Sequence, residues 1–110
     1  MQYRISKCQD LLSIAPMSDS EDNKLDKDKQ MIRDAIREEY KAISLYEIMS
    51  NEAENEGIKK IMLDIAKEEK VHVAELEKLL IMEDKEHEEC LKDGYKEIED
   101  KLALPQQPED

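Results

Sequence analysis

The chain has 110 residues, enough for one domain and too few for two. Charged residues make up 42% of it while glycine, proline and aromatics are scarce, a balance that suits long amphipathic helices and excludes a strand-rich fold. A formal net charge of −12 argues against nucleic acid and anionic membrane surfaces as partners, since both need positive patches, and is compatible with attracting metal cations.

In chain order, residues 1–28 read as a flexible leader. MQYRISKCQDLLSIAP has too short and too interrupted an apolar run for a signal peptide, and Met17 offers an alternative start. Cys8 and Cys90 fit no metal or redox spacing and read as two reduced thiols. A helical domain is expected over 29–103. Its first helix starts after Asp26 or Asp28, either of which can cap it, and runs to the polar stretch NEAENEG. Gly57 there suits a tight connection to a second helix from about Ile58 to Met82. A shorter third helix, weakly interrupted at Gly94, follows and stops before Pro105, leaving 104–110 as a loose tail. Met31, Met49, Met62 and Met82 read as gap-filling core, and His87 as a solvated surface histidine.

Extending each apolar stripe through its gaps exposes the chemistry. The first seam reads 32, 36, 39, 43, 46, 50, 53, and its third member is Glu39 between Ile36 and Ile43. The second reads 58, 62, 65, 69, 72, 76, 79, and Glu69 and His72 sit between Ile65 and Leu76. Burying such carboxylates without a cation costs several kcal/mol. One chain supplies a lone Glu plus Glu-x-x-His, so two chains supply four carboxylates and two imidazoles, the ligand inventory of ferritin-like di-iron bundles. Oxygen and imidazole donors suit iron, with manganese or another divalent ion as the alternative. The bland reading of the same residues is an amphipathic hairpin with the three groups on a wet flank.

IREEYKAISLYE followed by DIAKEEKVHVAEL resembles the encapsulated ferritins, and is especially similar to the archaeal kind fused to an encapsulin shell protein. The likeness covers about residues 30–100, with LKDGYKEIED matching the third helix of the fused kind. It implies an all-α fold, an antiparallel helical hairpin plus a shorter C-terminal helix that completes a four-helix bundle by dimerisation. It further implies a homodimer assembling to a decamer, two irons per dimer, ferroxidase activity serving iron sequestration, and a cytoplasmic location inside an encapsulin nanocompartment. By the same resemblance Glu39 is the bridging ligand, Glu69 and His72 complete the set, Glu38 is a neighbouring acid and Tyr46 a tyrosine near the centre. Where better-known members carry an acidic residue linked to metal entry, this chain has Lys41. His72 must be neutral to ligate, so metal binding should weaken in acid. The competing readings are a non-catalytic helical oligomerisation module and a rubrerythrin-like peroxide reductase. The latter usually carries a four-cysteine iron site that two isolated cysteines cannot build.

Overall fold

A computed structural model describes residues 22–105, with side chains from Lys27 onward. Most of the expected leader, Cys8 within it, and residues 106–110 of the expected tail lie outside them. The described chain is helical and contains no strand: α1 spans Asp22–Glu52, α2 Glu56–Glu83 and α3 Lys85–Lys101.

α1 begins several residues before the expected caps because no glycine or proline interrupts residues 22–52. The turn to α2 is short, and Asn55 caps the new helix by accepting a hydrogen bond from the Ile58 N–H at 3.0 Å. Gly57 lies inside the first turn of α2 rather than in the connection. Asp84 ends α2 and caps α3, accepting from the His87 N–H at 3.0 Å. Gly94 does not interrupt α3, which closes at Leu102 with Ala103 in the left-handed region (φ 51°) ahead of Pro105.

α1 and α2 form an antiparallel hairpin, and α3 packs on α2. Among the described residues the core is small: Ile43, Ala66, Val73 and Leu80 are the buried apolar residues, joined by Ser50, whose hydroxyl donates to the Lys59 carbonyl at 3.0 Å. Every position of the expected α1 seam, from Ile32 to Ala53, is buried or half-buried. The α2 seam needs correction. The residues facing α1 are Ala66, Val73 and Leu80, one position round from the expected Ile65, His72 and Leu79, and Ile58, His72 and Leu79 are exposed. α2 therefore carries two adjacent apolar stripes, one buried and one only partly covered, since Met62, Ile65, Glu69 and Leu76 of the expected seam are half-buried. Met31, Met49 and Met82 are likewise exposed rather than core, and only Met62 is half-buried. Cys90 is disulfide-bonded, which corrects the expectation of two free thiols. No described helix is long and apolar enough to cross a membrane.

Candidate metal centre

The open stripe of α2 meets the edge of α1 in a groove lined by Met31, Ile32, Ala35, Leu76 and Leu79, with Asp28 and Glu83 at its rim. Further along the same flank, Glu39 of α1 faces Glu69 and His72 of α2. One ligand atom from each of the three lies within 4.8 Å of the others. The i, i+3 spacing of Glu69 and His72 puts both on one side of α2, and His72 Nδ1 lies 3.4 Å from Glu69 Oε2 and 3.6 Å from Glu39 Oε2.

These separations describe a set of groups gathered but not bonded. At 3.6 Å the imidazole is too far to hydrogen-bond Glu39, and Glu39 Oε2 is buried with no hydrogen-bond partner. An orphaned carboxylate oxygen facing a second carboxylate and an imidazole nitrogen is an environment that a cation satisfies. The donor set, two hard oxygen ligands and one nitrogen, fits iron or manganese better than a thiolate-seeking metal. Both carboxylates are mostly buried, whereas half of the His72 side chain is exposed even within one chain. The cluster thus opens outward along the uncovered apolar stripe.

The other two expected residues, Glu38 and Tyr46, lie beside the three-residue cluster in sequence and outside it in space. Tyr46 is half-buried, two turns beyond Glu39 on the same face of α1. Glu38 is exposed and accepts a hydrogen bond from Lys41 Nζ at 3.1 Å, so position 41 supplies a cation that occupies Glu38. Neither residue belongs to the three-ligand cluster. Beside the cluster, the Tyr40 hydroxyl donates to Glu77 Oε1 on α2 at 3.4 Å, and the side chain is half exposed. The Glu77 carboxylate, aided by burial, by that hydrogen bond and by Tyr95, raises the Tyr40 phenol above its ordinary value of 10.0.

A helical hairpin with Glu on one helix and Glu-x-x-His on the next defines a ferritin-like carboxylate protein. Residues 30–103 match the sequence model of the Rubrerythrin family, and the chain belongs to that family. It is similar to the ferritin-like-encapsulin shell fusion protein of Pyrococcus furiosus, with 41% identity over 96 residues. That match takes in 86% of this chain and 28% of the relative, so the chain spans less than a third of the fusion protein's length. The crystal structure of the encapsulated ferritin domain from Pyrococcus furiosus is also similar, at a TM-score of 0.68 and 37% identity, covering 79% of this chain and 83% of that one.

Proposed function

We propose that the chain is a ferroxidase whose di-iron centre is completed when two copies pair through the open stripe, and that it serves iron sequestration. The observation that carries the reading is the Glu39–Glu69–His72 cluster with its unpartnered Glu39 oxygen, set beside apolar residues that one chain leaves uncovered. Among the described residues four apolar side chains are buried, a small core, and a second hairpin laid on the groove would cover Ile58, Leu79 and His72 together. Such a dimer brings two cluster copies together, giving four carboxylate charges to balance two divalent ions.

In this reading Fe(II) is the substrate. Each of two ions gives up one electron, O2 accepts both with two protons to become hydrogen peroxide, and Fe(III) leaves as product. The carboxylates favour the harder ferric ion. His72, neutral, offers a nitrogen ligand beside Glu69. A small open dimer has no cavity for mineral, so the ferric product would be stored elsewhere. The fusion of the Pyrococcus furiosus relative to an encapsulin shell supports storage within such a shell, with this chain inside a cytoplasmic nanocompartment and its dimers assembled into a larger ring such as a decamer.

The test is oxygen uptake on adding Fe(II) to metal-free protein, with Glu69→Ala beside it. Fast uptake that saturates near two irons per two chains and is absent in the variant supports the ferroxidase. Equal, slow uptake in both leaves an oligomerisation module. Iron oxidation that is much faster with hydrogen peroxide than with O2 favours the peroxide-reducing chemistry instead.

A further inference from the structure

On the flank of the hairpin turned away from the groove, three polar bonds tie α1 to α2. Arg33 Nη2 donates to Asp84 Oδ2 at 3.1 Å, Tyr40 Oη to Glu77 Oε1 at 3.4 Å, and Lys70 Nζ to Glu47 Oε2 at 3.2 Å. The partners advance by seven along α1 (33, 40, 47) and retreat by seven along α2 (84, 77, 70), so the rungs form one stripe in a single antiparallel register. The two carboxylates of the metal site sit one position earlier. Glu39 precedes Tyr40 and Glu69 precedes Lys70, which places the ligands about 100° round each helix, on the other flank.

The two flanks are therefore unlike. Among the described residues no side-chain hydrogen bond crosses from α1 to α2 on the groove flank, where two carboxylates and an imidazole meet. With no cation between them, Glu39 and Glu69 when ionised repel one another and favour the opening of that flank. Two exposed bonds and one part-buried bond add little to overall stability, yet they are placed where they oppose that opening. Ligand groups held at productive spacing before metal arrives bind it more tightly than groups that must first be gathered.

We propose that the Arg33–Asp84, Tyr40–Glu77 and Glu47–Lys70 ladder is a positioning device, holding the two helices at the rotation and register in which Glu39, Glu69 and His72 share a metal. The inference rests on the metal-centre reading above. Its residues touch no ligand and act only through the setting of the helices.

The experiment titrates metal-free protein with Co(II), following its visible d–d absorption, with thermal melting of each metal-free protein alongside. Parent chain is compared with Tyr40→Phe/Glu47→Gln, with the charge-swapped Glu47→Lys/Lys70→Glu, and with Glu69→Ala. The expected result is a loss of about three- to tenfold in Co(II) affinity for the first variant, below the 10–100-fold typical of residues bonded directly to ligands. Its melting should stay cooperative, and the swapped pair should return to within about twofold of the parent. Parent-like affinity and band shape in Tyr40→Phe/Glu47→Gln would overturn the positioning role while leaving the metal centre standing. Equal binding by the parent and Glu69→Ala would instead remove the metal centre, and the ladder's role with it.

Discussion

If Glu39 and Glu69 are brought together for a metal, the metal-free chain should be more stable without one of them. Take Glu39→Gln, which keeps the shape and removes the charge. The two carboxylates present ligand atoms within 4.8 Å, at which like unit charges repel by about 0.9 kcal/mol in a water-like medium and about 3.5 kcal/mol at an effective dielectric of about 20. With the side chains 24% and 19% exposed, the effective medium lies between these limits, and Glu39→Gln gains about 1–2 kcal/mol. The new amide also offers N–H donors to Glu69, where Glu39 Oε2 had no partner. Thermal unfolding in chelator, at fixed chain concentration and low salt, should show a rise of about 4–8 °C per kcal/mol. The rise should shrink as salt screens the pair, and the variant should lose the stabilisation that Fe(II) or Co(II) gives the parent. A variant less stable than the parent in chelator, yet equally stabilised by metal, would rule out like-charge repulsion at the cluster.

Three further outcomes follow from other parts of the fold. Asp84 both caps α3 and receives Arg33, so Asp84→Ala should cost about 1–2 kcal/mol in denaturant unfolding, and Asp84→Asn, which can still cap, less than half of that. Gly94 lies mid-helix with nothing within 4 Å of an added Cβ, so Gly94→Ala should stabilise by about 0.5–1 kcal/mol in the same assay. The raised Tyr40 phenol means that the folded chain holds that proton more tightly than the unfolded chain. Its contribution is full below the unfolded value and is lost as pH rises through the folded one. Ultraviolet titration of phenolate should place one tyrosine above the ordinary range, and Glu77→Gln should bring it down.

The three clustered residues were legible because they break a pattern. Glu39, Glu69 and His72 interrupt stripes of Ile and Leu, and an ionisable group on an apolar stripe needs a reason. The α1 stripe faces its partner as read. On α2 the large Ile65 and Leu79 outweighed Ala66 in any reading by hydrophobicity, yet small Ala66 lets α1 approach closely and is the most deeply buried of the core. A helix with two adjacent apolar stripes does not announce which of them its own chain will cover. The misplaced stripe is nonetheless the one that carries His72 and runs beside the cluster. The cross-helix ladder was not legible at all. With 29 acidic and 17 basic residues, countless pairings are open, and only the packed register selects Arg33 with Asp84 or Glu47 with Lys70. The exposed methionines misled for a related reason, since gap-filling residues suit a core and an uncovered interface equally.

A metal pair shared between two chains would be visible in an anomalous difference map at the iron edge. Crystals would be grown from protein loaded with Fe(II) under anaerobic conditions. Two iron peaks about 3.5–4 Å apart, lying on the line between two hairpins and each contacted by Glu39, Glu69 and His72 side chains, are the expected result. A single peak held within one chain, or no peak at the cluster while the chains still pair, would contradict it.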